Sequence, residues 1–367
     1  MRIGIDISQI VYEGTGVARF TDGFLRSALT YHNNHQWIFF CSSFRRQLDK
    51  NLITLIQRSN QTLIQLPIPP RGLSFISHNL HSLSRELHIF NSLFNRIDWF
   101  ITSDWAELPL SCKKATIVHD LVFKRYPETV DPVILKTQMK RLEWIEKESE
   151  IVFCDSKSTA DDLREFYNID INKICVNYPG VENRSVNVHF VEKTIKKYNL
   201  KKPFLLAVGK VEPRKNLKRL IEAFLQIDEK DTELIIVGPQ GWDKLDNIND
   251  KRIQFLGYIS DDELTALYTS CYAFILPSLW EGFGYPIIEA MHQGAPVLTS
   301  NISSLEEITH KHAIHFDPFN IKNIKDSIHL IFNDKKLRTK LSLEGKIYAE
   351  SFTWKRYIDT FITKLTS

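Results

Sequence analysis

Cysteine is scarce and dispersed. The five, Cys41, Cys112, Cys154, Cys175 and Cys271, stand singly with no Cys-x-x-Cys pair. A reduced, cytoplasmic setting is the simplest account of that usage. Long blocks of like charge are missing as well. The 47 basic and 44 acidic residues leave a net charge of +3, too mild to imply nucleic acid. That balance permits loose contact with an anionic membrane surface without requiring it. No uninterrupted apolar run is long enough to span a bilayer. The opening run, Met1 to Asp6, is expected to carry no signal peptide, because its apolar stretch is short and Asp6 interrupts it. What remains is a chain of 367 residues, 43% hydrophobic and 25% charged. Those values describe a globular protein of two domains.

The most informative stretch runs from Pro277 to Ala290. Before it, Tyr272 to Leu276 reads as a buried strand. After it, Ile287, Ile288, Ala290 and Met291 recur at helical spacing, and Gly294 is placed to stop the helix. The order is therefore strand, Gly-rich turn, helix. Glycines let backbone approach a ligand closely, and a helix N-terminus offers N–H groups to an anion. Glu281 in the turn and Glu289 in the helix add two carboxylates. Backbone that binds anions beside carboxylates suits a ligand with both phosphates and hydroxyls, such as a sugar nucleotide. The competing reading is an ordinary strand–turn–helix unit with two solvated glutamates.

The N-terminal half repeats the strand–turn–helix rhythm. Ile3, Ile5 and Ile7 begin a first strand, Glu13 to Arg19 a turn with Gly14 and Gly16, and Phe20 to Leu29 a helix, which suggests a doubly wound unit. The glycine spacing is not that of a dinucleotide fingerprint, and a tight turn with no ligand role stays open. Leu73, Ile76, Leu80, Leu83, Leu87, Phe90, Phe94 and Ile97 predict an amphipathic helix or helix pair. It packs on its own sheet or lies on a membrane or partner. Its polar face carries His78, His81, Arg85 and His88, read as surface residues. His119 and Asp120 end the strand Ala115 to Val118, where open α/β sheets bind ligands. They are candidate sugar contacts or a structural hydrogen-bonded pair. Asp155 to Thr159 reads as a capped helix start.

From Glu182 to Lys202 the apolar rhythm fades, and the linker is placed at 183–202, after a first domain over 1–182. Phe204 to Gly209 restarts the pattern in a second domain, 203–351. Its first strand feeds Lys210, Arg214 and Lys215 into a helix start. Lysine supplies a point charge, arginine a planar fork and the helix its N–H groups, as a diphosphate would require. Cations at a helix N-terminus oppose the macrodipole, and that conflict points to an absent anionic ligand. Gly238 follows the next strand and Tyr258 the one after.

The run Pro277 to Ala290, continued by Gly294-Ala295-Pro296-Val297, resembles the E-x7-E signature of the family-four (group 1) retaining glycosyltransferases, which have the GT-B fold. His119-Asp120-Leu121 resembles the H-D-L segment of its mannosyltransferase-like members. Lys210 to Asn216 resembles its G-R-x-x-x-R-K-N element, with Lys210 where arginine is usual. The resemblance covers nearly the whole chain. It implies two Rossmann-like, doubly wound parallel-sheet domains facing across a cleft, with a C-terminal helix at 352–367 completing the first. It implies that Gly16 lies in a loop facing the cleft and that His119 contacts the donor hexose, with Asp120 beside it as a second catalytic candidate. Glu281 would contact the sugar, and Glu289 would hold the ribose. Gly238 and Tyr258 would lie near the base. The N–H groups of Gly282, Phe283, Gly284 and Tyr285, with Lys210, Arg214 and Lys215, would neutralise the departing diphosphate. The family commonly has a glycine where the run Thr309 to His312 stands, so the local turn is expected to differ.

These implications define a metal-independent hexosyltransferase with no cofactor. The chain has no Asp-x-Asp, the diphosphate–metal element of the other large glycosyltransferase fold. Its expected partners are a nucleotide-sugar donor and a glycan or lipid-linked acceptor. GDP-mannose is the expected donor and polysaccharide or O-antigen-type synthesis the expected setting, in the cytoplasm or on the inner membrane face. A UDP-hexose donor, a nucleotide-sugar epimerase and a non-catalytic nucleotide-sugar-binding protein are the alternatives.

Overall fold

The computed structural model describes residues 1–12, 14–86, 90–94, 96–200, 203–243, 245 and 248–367. Glu13, Leu87, His88, Lys201 and Lys202 of the sequence patterns above lie outside the described residues. The chain divides into two compact units, Met1–Gly180 with Thr353–Ser367, and Val181–Phe352.

The first unit holds β1 (Arg2–Asp6), β2 (Gln36–Ser42), β3 (Thr62–Leu66), β4 (Trp99–Ser103), β5 (Lys113–Val118), β6 (Ile151–Cys154) and β7 (Ile174–Val176). They form one sheet in the order β3-β2-β1-β4-β5-β6-β7, with every pairing parallel. Parallel strands covered by helices on both faces must be apolar throughout. Accordingly Ile3, Ile5, Phe39, Phe40, Phe100, Ile101, Ile117, Val152 and Phe153 are all buried. The helix Gly16–Tyr31 is capped by Thr15, whose hydroxyl accepts from the Ala18 N–H, and Pro132–Glu148 by Asp131. The helix Trp354–Thr366, capped by Thr353, packs in this same unit. Its Phe361 meets Phe24 edge-on at 5.0 Å and stacks on Phe153 at 4.3 Å.

The second unit holds β8 (Phe204–Val208), β9 (Glu233–Val237), β10 (Ile253–Gly257), β11 (Ala273–Leu276), β12 (Val297–Ser300) and β13 (Ala313–Phe316). Their order is β10-β9-β8-β11-β12-β13, again all parallel. The direction of winding reverses between β8 and β11, which pair through Leu205 with Ala273 and Leu206 with Phe274. Loops leaving the carboxyl ends of those two strands are thereby made neighbours, and this is where open α/β sheets hold ligands.

Two readings from the sequence change. The 183–202 stretch is not an irregular linker, because Val188–Lys197 is a helix of the second unit, capped by the Asn187 side chain. Among the described residues, the 73–97 pattern forms three short helices, Pro70–Asn79, His81–Glu86 and Asn91–Phe94. His78 and His81 are buried rather than on the surface. His81 stacks on Trp144 at 3.7 Å and meets the Glu148 carboxylate through Nε2. Lys114, also buried, donates to that carboxylate at 2.6 Å. Burial would raise Glu148, but the His81 hydrogen bond and the Lys114 charge outweigh it and hold the carboxyl at about 2. Histidine at helical spacing says nothing of such a partner 67 residues away.

Candidate functional site

The loop after β11 ends at Gly284, which caps the helix Tyr285–His292 with φ at 99°. A side chain there would be strained in the left-handed region, and its Cβ would stand 3.1 Å from Leu305. Pro286 sits in the first turn, where its missing N–H costs nothing. The turn itself is fastened from behind. The Ser304 hydroxyl donates to the Glu281 carbonyl at 2.8 Å and to that of Phe283 at 3.2 Å. The Glu281 N–H in turn donates to Ser303 Oγ. The segment Gly282 to Tyr285 thus holds a fixed helix start, with the first-turn N–H groups and the positive end of the dipole suited to an anion. Glu289 is the fifth residue of this helix, and its carboxylate accepts from the Tyr268 hydroxyl at 3.1 Å.

The neighbouring loop, after β8, carries the cations. Pro213–Lys215 makes a single tight turn, and Asn216 at φ 57° opens the helix Leu217–Leu225. The Asn216 amide donates to the carbonyls of Pro277 and Pro318. The Leu279 N–H donates to the Arg214 carbonyl at 2.8 Å, so the two loops are tied together. Arg214 reaches Glu281 at 2.7 Å, the Trp280 carbonyl at 3.1 Å and Glu212 at 2.9 Å. The Lys215 ammonium bonds the other Glu281 oxygen. The conflict between these cations and the helix dipole is therefore met inside the chain, by Glu281 and Glu212, and not only by a missing ligand. Burial would raise Glu281, but Arg214 and Lys215 dominate and hold it at about 2. The sequence reading gave Glu281 to a sugar and Lys215 to a phosphate. Here the two hold each other.

The other candidates in this unit stand apart from that cluster. Lys210 is exposed, with its ammonium 4.5 Å from the Trp242 ring centre. Tyr258 is 67% exposed, which excludes a packing role. Gly238 donates its N–H to Gly257 and so does not offer it to a phosphate. A Cβ on Gly238 would stand 2.0 Å from the Gly209 carbonyl oxygen, so glycine is required there by backbone approach. At the Thr309 to His312 turn, His310 adopts φ 45°. The backbone conformation that favours glycine is kept although the residue is histidine.

In the first unit, β4, β5 and β6 lie side by side, and each delivers one polar residue from its carboxyl end. His119 Nδ1 is 2.7 Å from Asp155 Oδ2, and Nε2 is 3.1 Å from Ser103 Oγ. The ring edge packs on Phe20 at 4.7 Å, and the Thr159 hydroxyl donates to the His119 carbonyl. Burial alone would discharge the imidazole. The charge and hydrogen bond of Asp155, and then the charge of Asp104, outweigh burial and raise its pKa above the ordinary value. Asp120 is not its partner: that carboxylate accepts from the Val122 N–H, two residues on in its own loop. Asp155, read from sequence as part of a helix cap, leaves capping to Ser156. The signal that identifies it is an acidic residue at the end of the strand beside His119. Gly16 is exposed in the first turn of its helix, with open space where a Cβ would stand. Among the described residues no three His, Cys, Asp or Glu side chains are placed to hold a metal ion.

Two doubly wound parallel sheets, one bearing an anion-ready helix start beside two cations, define a protein of the GT-B fold class. The comparisons agree. The structure of HepE from Anabaena, solved in complex with UDP and glucose, is similar over 99% of this chain and 100% of its own, with a TM-score of 0.72 at 15% identity. Residues 190–347 match the family model of glycosyl transferases group 1. Serotype-specific mannosyltransferase WbdA of Escherichia coli is 27% identical over 260 residues, 66% of this chain and 32% of its own length. The chain thus spans about a third of that relative. O-antigen chain mannosyltransferase RfbU of Salmonella typhimurium is 30% identical over 232 residues, 60% of this chain and 61% of its own.

Proposed function

We propose that the protein is a retaining hexosyltransferase that moves mannose from GDP-mannose to a hydroxyl of a growing or lipid-linked glycan, without a metal. The observation that carries this reading is that Glu281, in the turn leading to the Tyr285–His292 helix start, is ion-paired with both Arg214 and Lys215. A diphosphate would take the helix N–H groups and draw the two cations from Glu281. The freed carboxylate would then accept from a sugar hydroxyl, while Glu289, steadied by Tyr268, accepts from the ribose. In the reaction the bond from the anomeric carbon to the diphosphate breaks, and the acceptor oxygen bonds the same carbon from the same face. The acceptor proton leaves with the phosphate. Cations and helix dipole stabilise the negative charge that develops on the leaving group. His119 would contact the donor hexose. The names of the curated relatives, a serotype-specific mannosyltransferase and an O-antigen chain mannosyltransferase, support mannose as the sugar. Among the described residues no helix is long and apolar enough to cross a membrane. The proposed setting is the cytoplasm or its membrane face.

A UDP-hexose donor is the second reading, favoured by the HepE structure with UDP and glucose. Calorimetric titration with GDP, UDP, GDP-mannose and UDP-glucose, each with EDTA and with magnesium, separates the two. Selective GDP binding in EDTA supports the first reading and selective UDP binding the second. Lys215→Ala should weaken nucleotide binding at least tenfold, as expected for loss of a charged contact of about 1.5–3 kcal/mol. Unchanged affinity and turnover in that variant overturn the phosphate assignment. Conversion of free nucleotide sugar to an epimer without acceptor would replace transfer by epimerisation.

A further inference from the structure

The first unit holds an arrangement of which the proposed donor site uses only His119. Ser103, His119 and Asp155 end three adjacent strands and form one hydrogen-bonded chain, with the imidazole in the middle. Ser103 and Asp155 are each 3% exposed, while the His119 side chain keeps 12% of its surface open. The ring is thus the member of the chain that a ligand reaches. Among the described residues, Asp155 meets the ring through Oδ2, and its Oδ1 has no hydrogen-bond partner. A buried carboxylate turned onto one imidazole nitrogen, in place of capping the helix that follows it, is otherwise a costly placement. A carboxylate has no proton to give when ionised, so Nδ1 must carry one. That fixes the ring's orientation and leaves Nε2 to Ser103 and to an incoming hydroxyl.

We propose that Asp155 is the positioning residue of His119, holding the imidazole with Nδ1 protonated so that its Nε2 edge serves the sugar hydroxyl. The inference rests on the hexosyltransferase reading for its purpose, and on the geometry of the first unit alone for the His119–Asp155 coupling. The charged and titratable groups around the ring are Asp155 after β6, Asp104 after β4, Asp120 beside it in sequence, and Arg141 from the helix Pro132–Glu148. Arg141 is itself held by Glu107 at 3.1 Å and so adds little positive charge. Asp155 is the carboxylate in hydrogen-bond contact with the ring.

The test is made on the 367-residue chain with Asp155→Asn and Asp155→Glu. His119 is followed by nuclear magnetic resonance of its imidazole, assigned by the signal lost in His119→Gln. In Asp155→Asn the titration midpoint should fall by about one pH unit or more, and the Nδ1 proton should be lost from the preferred tautomer. Asp155→Glu should restore part of the shift. In turnover of the nucleotide sugar that calorimetry selects, Asp155→Asn should lower kcat at least tenfold with little change in donor KM. The acidic limb of the pH profile, where the imidazole gains its second proton, should move to lower pH. An unmoved midpoint and tautomer overturn the inference whatever the activity does. A loss of kcat with an unmoved pH profile also overturns it, since a merely structural role gives that result. Absence of nucleotide binding by the unsubstituted protein instead sinks the functional reading and leaves the imidazole result standing.

Discussion

Glu281→Gln separates the two tasks that one carboxylate performs. In the structure its oxygens are divided between Arg214 and Lys215. Its carboxyl is held at about 2 against an ordinary 4.5, a difference worth about 3 kcal/mol to the charged form. Removing one member of a buried ion pair costs a similar amount, about 3–5 kcal/mol. The variant's second unit should therefore be about 3 kcal/mol less stable without ligand, a fall in Tm of about 6–12 °C for a unit of this size. The sign with pH follows from the depressed pKa. The stabilisation is fully present above pH 4.5 and is lost as pH falls towards 2. The variant should lack that acid-side loss. Its nucleotide behaviour should run the other way. Two cations without their counter-charge should bind GDP about tenfold more tightly, ~1.4 kcal/mol, less than the full pair energy because Glu212 still holds Arg214. Turnover should fall, since the proposed sugar contact is gone. Thermal melts from pH 2 to 8 with and without GDP, followed by calorimetry, measure all of this. A variant as stable as the parent that also binds GDP more weakly would refute the reasoning, because Glu281 would then be neither holding the cations nor competing for them.

Tyr268→Phe removes the hydroxyl that steadies Glu289. It should lower GDP affinity several-fold, a loss of about 1 kcal/mol, with Tm nearly unchanged. Equal affinity by calorimetry would show that Glu289 needs no support. Gly238→Ala places a methyl 2.0 Å from the Gly209 oxygen at a φ of 148°. It should destabilise the second unit by more than about 3 kcal/mol, and a urea midpoint within error of the parent would refute the close approach.

The strands were legible because a parallel sheet writes itself as short apolar runs, from Ile3 in β1 to Phe316 in β13. The Gly-rich turn and the E-x7-E spacing were legible because both are local. What escaped depends on strand order, which no single run encodes. Lys215 and Glu281 stand 66 positions apart and meet because β8 pairs with β11. Asp155 reaches His119 across 36 positions because β6 lies beside β5. Read singly, Asp155 opens a helix and Asp120 neighbours a histidine; the sheet gives the histidine to Asp155 instead. The same holds for His81, whose helical spacing gives no hint of Trp144 and Glu148 around it. The helix in 188–197 was missed because three of its last six residues are lysines and its buried face is narrow.

The helix Trp354–Thr366 has a bearing on how the protein is made. It belongs to the first unit, yet the second unit is synthesised before it. Until it arrives, Phe20, Phe24 and Phe153 lack the rings of Trp354, Tyr357 and Phe361 that cover them. The bare backbone of Gly23 and Gly180 is shaped to admit Trp354, since a Cβ on either would strike it within 2.3 Å. On the ribosome the part translated first is therefore finished last. A chaperone that shields aromatic surface would have its longest engagement with the N-terminal half, for the time taken to translate residues 181–352.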